Sequence, residues 1–155
     1  MESMQTEPVY AVAYVYGAPS NPDLFGTVEF EQTPQGVLVT AKLQGLPQTQ
    51  GACASDIFAF HIHAGAACAG NDADPFAQAG THYNPGGCAH PAHAGDLPSL
   101  FGCRGSAYCT FLTCRFTVRE ILGKTVIVHA MPDDFTTQPS GNAGKKIGCG
   151  VIRRR

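Results

Sequence analysis

The segment that decides the fold is residues 56–64, which read DIFAFHIHA and end in two histidines one residue apart. Successive side chains of a β-strand point to opposite faces, so His61 and His63 are predicted to share one face while Ile62 points the other way. Two imidazoles on one face could form half of a metal site. Alternatively, one could be hydrogen-bonded in the core while the other lies at the surface. This segment alone leaves both interpretations open.

Similar strand-like segments flank residues 56–64 on both sides. The complete set of predicted strand segments is 9–17, 25–33, 37–46, 56–64, 106–118, 124–130 and 146–152. On the third segment the alternate apolar residues would line one face: Val37, Val39, Ala41 and Leu43. Short strands separated by turn residues at this spacing predict an antiparallel all-β protein of about eight strands. Residues 116–122 are the one candidate for a helical turn.

Two long segments between the strands lack periodicity, at residues 65–105 and 131–145. A connection of about forty residues is rare in a compact domain unless it has a function. All six histidines of the chain lie in these segments or at the strand ends beside them: His61, His63, His82, His90, His93 and His129. Both segments are therefore predicted to be functional loops.

The spacing of polar residues in the first loop suggests metal ligands. His90, His93 and Asp96 follow one another at intervals of three residues in a loop rich in Gly and Pro. With one further nitrogen they would make a tetrahedral zinc set, whereas a set of imidazoles alone suits copper. Two sites of different chemistry can be built from the six histidines and this aspartate only if one histidine is shared.

Length and composition exclude several classes of protein. A chain of 155 residues is the usual size of one domain, so residues 1–155 are expected to form a single domain. A net charge of −2 gives no basis for general attraction to nucleic acid or to membrane phosphates. No apolar run is long enough to span a bilayer. Residues 1–10 lack the apolar core of a signal peptide, which leaves the compartment open between the cytoplasm and a processed exported form.

Seven cysteines are many for a chain of this length. An odd number cannot be fully paired within one chain, so at least one thiol is free or pairs between chains. The number of cysteines does not by itself decide the redox compartment.

Five stretches of the chain resemble the copper,zinc superoxide dismutases. They are FHIHAG at 60–65, AGTHYNPGG at 79–87, HAGDLPSL at 93–100, VIVHAMPDD at 126–134 and SGNAGKKIGCGVI at 140–152. Six histidines, one aspartate and two cysteines fall in register with that family, whereas the strands before position 57 match it only in pattern. The resemblance implies an eight-stranded Greek-key β-barrel, an immunoglobulin-like sandwich with two long functional loops.

The resemblance also implies a role for each residue in register. It implies copper ligands at four histidines: His61, His63, His82 and His129. It implies zinc ligands at four positions: His82, His90, His93 and Asp96. His82 would bridge the metals, and Asp133 would tie a copper histidine to a zinc histidine. Cys68 and Cys149 would form the disulfide that holds the first loop against the last strand.

Two features depart from the family pattern. His90 and His93 are closer together than in the animal enzymes, which is similar to a bacterial version with a short zinc loop. Lys146 stands where the family usually has an arginine beside the copper, and Lys145 and Lys146 together would supply local positive charge for a small anion.

The other cysteines and the C-terminus have no role in the family pattern. The cysteines in question are Cys53, Cys88, Cys103, Cys109 and Cys114. Cys88 and Cys103 flank the zinc loop and could be bridged, whereas Cys109 and Cys114 are expected to be small buried hydrophobes on a strand. The three arginines at 153–155 are expected to form a solvated end.

The activity implied by the resemblance is that of an oxidoreductase, the disproportionation of superoxide to O₂ and hydrogen peroxide. Copper would carry the electron, His82 would supply a proton and Lys146 would guide the anion. The resemblance also allows a homodimer. Two other classes are kept as alternatives: a copper-binding or copper-delivery protein on the same fold without turnover, and a structural β-domain with incidental histidines.

Overall fold

The computed structural model describes residues 9–155, which contain nine strands and two short helical turns. The strands are β1 (Tyr10–Gly17), β2 (Phe25–Thr33), β3 (Gly36–Gln44), β4 (Ile57–Phe58), β5 (Phe60–His63), β6 (Leu100–Phe101), β7 (Ala107–Thr113), β8 (Thr125–His129) and β9 (Lys146–Arg154). The helix α1 spans Val118–Ile121, and a 3₁₀ turn spans Ala77–Ala79. No helix among these residues is long and apolar enough to cross a membrane.

Seven of the strands form one antiparallel sheet that curls around the core. Their order is β5-β8-β9-β1-β2-β3-β7, and β4 pairs with β6 in a second, two-stranded sheet. The predicted all-β class is confirmed, and the curled sheet is consistent with the β-barrel that the resemblance implies. The Greek-key connection stays a prediction, and the strand count is nine rather than eight.

The core lies on the inner face of the curled sheet, as strand alternation requires. The alternate residues of β3 that were predicted to share a face are all buried: Val37, Val39, Ala41 and Leu43. Val28 and Phe30 of β2 are buried in the same cluster, whereas Phe25 is 57% exposed. Burial of these side chains stabilises the sheet by about 25 cal/mol for each Å² of apolar surface removed from water.

The predicted strand at residues 56–64 divides at Ala59, and this accounts for the additional strand. β4 pairs with β6, whereas β5 pairs with β8. The amide of Ala59 donates to Met131 O, while its carbonyl accepts from the amide of His129. The chain therefore changes partner at this residue, which the apolar pattern of the segment does not reveal.

Two predicted boundaries differ from the structure in the middle of the chain. The strand predicted at 106–118 ends at Thr113, and Val118 begins α1. The side chain of Thr117 accepts from the Glu120 amide and the Glu120 carboxylate accepts from the Thr117 amide, a capping box that starts the helix. The loop predicted at 65–105 contains β6 and the 3₁₀ turn.

The cysteines outside the predicted disulfide also differ from expectation. Within residues 9–155, Cys88 and Cys103 are unpaired and exposed, so the suggested bridge between them is absent. Cys114 is exposed rather than buried, because it follows the end of β7, and Cys109 is half-buried. At the C-terminus β9 extends through Arg154, although the side chains at 153–155 are exposed as expected.

Candidate metal centre

The first loop is hydrogen-bonded along the free edge of β5. The Ile62 amide donates to Gly95 O at 2.8 Å, and the Tyr83 amide donates to Ile62 O at 2.8 Å. Bridges of the antiparallel type place His82 opposite His63 on this edge. A further bridge places Asp96 opposite His61. The loop thus brings its own polar side chains against both histidines of the strand.

His63 and His129 face each other across the paired strands β5 and β8. Their Nε2 atoms are 3.3 Å apart. His63 Nδ1 donates to Gly80 O at 2.7 Å, and His129 Nδ1 donates to Gly144 O at 3.2 Å. Because each Nδ1 carries the hydrogen, each Nε2 presents a lone pair to the space between the rings.

His82 lies between two sets of side chains. Its Nδ1 is 2.8 Å from Asp96 Oδ1 and 3.2 Å from His93 Nδ1. Its Nε2 is buried and has no hydrogen-bond partner. We call the histidines on one side, with His82, the strand group: His61, His63, His82 and His129. We call the residues on the other side, with His82, the loop group: His82, His90, His93 and Asp96.

Asp133 connects the two groups from the second loop. Its carboxylate accepts from His61 Nε2 at 2.7 Å and from His90 Nε2 at 2.8 Å, and all three side chains are fully buried. Gly141 packs against this carboxylate with a φ of +72°, and a Cβ there would overlap the carboxylate and contact His90. The two bonds leave Nδ1 of His61 and Nδ1 of His90 free to point into their own groups.

The donor atoms that remain fit metal ions. His61 Nδ1, His82 Nε2 and His90 Nδ1 are buried without a hydrogen-bond partner, a costly arrangement for a polar atom unless a ligand satisfies it. Within each group the donor atoms lie within 4.8 Å of one another. Ligands of a tetrahedral zinc are about 3.3 Å apart, which matches the spacings found here.

Three histidines of the strand group, His61, His63 and His129, are held in the neutral form that metal ions require. Burial lowers the pKa of His61 to about 2, with a further contribution from the His82 and His129 imidazoles. Burial also lowers the pKa of His129 to about 4 and that of His63 well below its ordinary value. All of these imidazoles therefore keep a lone pair at neutral pH.

Asp96 is the one carboxylate within the loop group. Its Oδ2 is 3.0 Å from His90 Nδ1, although this contact lacks hydrogen-bond geometry. The same oxygen accepts from the His93 amide at 3.0 Å. Burial opposes ionisation of Asp96, but the hydrogen bond from His82 together with the neighbouring imidazoles of His82, His90 and His93 outweighs it, so the pKa of Asp96 lies below its ordinary value.

A cavity of about 370 Å³ gives access to the strand group from solvent. His63, His82 and His129 line it together with His93 of the loop group. The rest of the wall comes from residues of both loops: Gly80, Thr81, Asn84, Pro139 and Ser140. A small molecule could reach the histidine nitrogens here, whereas His61 is fully buried.

The predicted cationic residue Lys146 starts β9 and pairs with His129 in the ladder with β8. Its ammonium group is not part of the wall of the histidine cavity and donates to Asp74 Oδ2 at 2.7 Å in a second cavity. Lys145 is exposed and lines that second cavity. The structure thus places both lysines outside the wall of the histidine cavity.

The disulfide implied by the resemblance is present. Cys68 and Cys149 are joined, with their Cα atoms 5.7 Å apart and 81 positions apart in sequence. Cys68 packs against a small buried cluster of Ala18, Phe76, Ala79, Ile127 and Cys149. The bridge therefore fastens the first loop to β9.

Three features of the site have no signal in the sequence. The carbonyl groups of Gly80 and Gly144 orient two histidines, but a backbone acceptor carries no residue identity. Asp74 binds Lys146 from 72 positions away in the chain.

The fold and these two groups define a class, that of an antiparallel β-barrel metalloprotein in which two metal positions share one imidazole. The family model described as copper/zinc superoxide dismutase (SODC) matches residues 24–152. This chain belongs to the copper/zinc superoxide dismutase family. Copper and zinc are the cofactors of that family, and the strand group and the loop group are the residues that could hold them.

Relatives of known identity cover most of the chain. A protein of Aquifex aeolicus named superoxide dismutase [Cu-Zn] 2 is 33% identical over 84% of this chain and 80% of its own length. The superoxide dismutase [Cu-Zn] of Photobacterium leiognathi is 33% identical over 83% of this chain and 78% of its own. The superoxide dismutase [Cu-Zn] of Legionella pneumophila is 32% identical over 91% of this chain and 85% of its own length.

Proposed function

We propose that this chain converts superoxide to O₂ and hydrogen peroxide, with copper at the strand group and zinc at the loop group. The single observation that carries the proposal is the position of His82. Its two ring nitrogens face different groups, one towards three further imidazoles and the other towards two imidazoles and a carboxylate. A histidine that serves only structure needs one partner for each nitrogen and would not complete two sets of ligands.

The chemistry of each group supports the assignment of the metals. Four imidazoles suit copper, which takes nitrogen donors in square or distorted geometry. Three imidazoles and one carboxylate suit a closed, tetrahedral zinc site. The strand group also borders the cavity that admits solvent, as a redox metal that meets a substrate requires. Bound copper would supply one-electron chemistry, and bound zinc would supply a fixed positive charge on the shared imidazole.

The protein supplies orientation, a proton and local charge. The Gly80 and Gly144 carbonyls fix which nitrogen of His63 and His129 carries a hydrogen, so both Nε2 atoms stay available as donors. His82 Nε2 lies beside the cavity, and this imidazole can hold a proton there when it is not a ligand on that side. Lys146 and Lys145 would attract the anion to the cavity in a protein whose overall charge of −2 repels it weakly.

Metal analysis with an activity assay tests this proposal. We expect one copper and one zinc for each chain, and rapid disappearance of superoxide in the loaded protein. Copper EPR should change when zinc is added to the copper form, because the shared imidazole couples the two positions. Saturation by a single metal, or a copper spectrum indifferent to zinc, would contradict the bridged site. Full loading without turnover would instead support the copper-delivery alternative.

Assembly and domain organisation belong to the same proposal. Residues 1–155 would form one domain, and the resemblance allows two copies to pair. Sedimentation of the loaded protein distinguishes a monomer from a homodimer, and proteolysis that leaves one resistant fragment would support a single domain.

A further inference from the structure

The ammonium group of Lys146 is held by the first loop. Nζ donates to Asp74 Oδ2 at 2.7 Å and lies 3.5 Å from Phe76 O. The Lys146 side chain is 16% exposed and the Asp74 side chain is 40% exposed. The lysine that would attract the substrate therefore has its charge neutralised by a neighbouring carboxylate at short range.

The carboxylate of Asp74 is itself positioned by its own loop. Asn71 Oδ1 accepts from the amides of Ala73 and Asp74 at 3.0 Å, which forms a turn that ends at Asp74. Asp74 Oδ1 accepts from the Phe76 amide at 3.1 Å, leaving Oδ2 for the lysine. Phe76 is buried, so this part of the loop has a firm anchor.

The loop that carries Asp74 is fixed to the strand that carries Lys146. The Cys68–Cys149 disulfide joins them, three positions beyond Lys146 in β9. Phe76 packs in the cluster that contains Cys149. The disulfide and the packing of Phe76 therefore hold the two partners of the ion pair close together.

We propose that Asp74 is a positioning residue that restrains Lys146 and thereby sets how strongly the histidine cavity attracts small anions. This inference rests on the proposed role of Lys146 as the guide for superoxide. A restrained lysine contributes little field to the cavity, because the nearby carboxylate cancels most of it. Removal of the Asp74 charge should therefore increase attraction, whereas removal of the lysine alone would leave the Asp74 carboxylate unpaired and should weaken attraction.

The variant Asp74→Asn separates the charge from the structure of the loop. Its side-chain oxygen can still accept from the Phe76 amide, so the turn should persist while the ion pair is lost. Asp72→Asn is the matched control, because Asp72 lines the same cavity as Lys146, is exposed and makes no hydrogen bond to Lys146. Both substitutions raise the net charge by one, and only Asp74→Asn removes the ion pair with Lys146.

The first measurement uses the metal-free protein. Limited acylation of lysines, mapped by mass spectrometry, reports the accessibility of Lys146, with exposed Lys145 as an internal reference. We expect the ratio of Lys146 to Lys145 labelling to rise several-fold in Asp74→Asn and to stay at the parent value in Asp72→Asn. Equal ratios in all three proteins would overturn the proposal, because the ion pair would then place no restraint on the lysine.

The second measurement uses the copper- and zinc-loaded protein and azide as a small anionic probe. We expect Asp74→Asn to bind azide roughly two- to five-fold more tightly at low salt, the size expected for one unscreened charge beside an aqueous cavity. Asp72→Asn should give a smaller gain, and Asp74→Asn combined with Lys146→Gln should lose the gain. Equal gains in Asp72→Asn and Asp74→Asn, or a gain that survives in the double variant, would overturn the proposal.

The same variants separate this inference from the proposed function. If the parent turns over superoxide and Lys146→Gln weakens azide binding, but Asp74→Asn matches the parent, the guiding role of Lys146 stands and the restraint by Asp74 is refuted. If the loaded parent shows no turnover, the proposed function fails independently, since the labelling ratios do not depend on metal or on activity.

Discussion

The strand group and the loop group differ in the backbone that carries them. Three histidines of the strand group lie within β5 or at the end of β8, where the sheet ladder holds the backbone. The loop group lies entirely within residues 82–96, which contain no strand of the large sheet. Main-chain carbonyls orient His63 and His129 of the strand group, whereas carboxylates orient His61 and the histidines His82 and His90 of the loop group.

This difference predicts that the two candidate metal positions differ in rigidity. A ladder of backbone hydrogen bonds survives the loss of any one side chain, so the strand group should be largely formed before metal binds. The loop group depends on a few contacts from elsewhere, among them Gln138 to the His90 backbone and Arg115 to Pro91 O. We expect zinc affinity to be the more sensitive of the two to mutation.

Substitution of individual ligands should give the largest effects. His82→Ala should weaken the binding of both metals and reduce turnover more than about 100-fold, because the ligand that the two groups share is lost. His61→Ala should weaken chiefly the binding of copper, and Asp96→Ala chiefly the binding of zinc. Competition with a chelator for each metal measures these changes. Equal losses of both metals in His61→Ala would count against the division into two groups.

Removal of the disulfide should give the next largest effect. Cys68→Ser opens a link between residues 81 positions apart. The chain-entropy model predicts a loss of about 4 kcal/mol in the free energy of unfolding. Urea denaturation of the metal-free protein measures this loss, with Cys53→Ser as the control because Cys53 is free and exposed. An unchanged midpoint in Cys68→Ser would show that the loop docks without its bridge.

Loss of the Asp133 link between the strand group and the loop group should reduce the affinity for metal by about 10- to 100-fold. Asp133→Asn can accept from only one of His61 and His90, so one ring loses its orientation. Gly141→Ala should act in the same direction, because a Cβ there overlaps the Asp133 carboxylate. If the two groups differ in rigidity as described, zinc should be lost before copper in both variants. Chelator titrations in which copper leaves first would contradict the expectation that the loop group is the less rigid of the two.

A smaller and selective effect is expected from Arg115, which binds the backbone of the loop that carries the loop group. Its Nη1 donates to Pro91 O at 2.7 Å and to His93 O at 3.1 Å. Arg115→Gln should lower zinc affinity by about three- to ten-fold, since an exposed hydrogen bond of this kind contributes about 0.5–1.5 kcal/mol. Copper affinity measured on the same samples is the internal control. A parallel fall in copper affinity would mean that the loop supports both groups equally.

The smallest expected effects concern Lys146, which belongs to neither group. Lys146→Glu should lower the rate several-fold and flatten its dependence on ionic strength, because it replaces an attractive charge by a repulsive one. Lys146→Arg should leave the rate unchanged or raise it modestly, since the charge is kept. Pulse radiolysis at several salt concentrations measures both. Rates for Lys146→Glu that equal the parent at every ionic strength, with full copper, would assign guidance to Lys145 instead.

Strand alternation let the sequence alone predict the all-β class and the shared burial of the four β3 residues. The same two-residue period predicts that His61 and His63 share a face, because strand geometry is local. The resemblance of five stretches predicted the Cys68–Cys149 pair, which the structure contains. The helix α1 lies within the predicted turn at 116–122, where a capping box marks its start, whereas the 3₁₀ turn at Ala77–Ala79 was not predicted.

Only the tertiary structure decided which atoms meet. Asp133 lies between His61 and His90, and Asp74 holds Lys146, over separations of 43 to 72 positions. The first loop also lies along the edge of β5. The division of residues 56–64 at Ala59 and the unpaired state of Cys88 and Cys103 also come from the structure. Contacts of this kind depend on how distant loops pack together, and loops without a hydrophobic period carry no local signal of their partners.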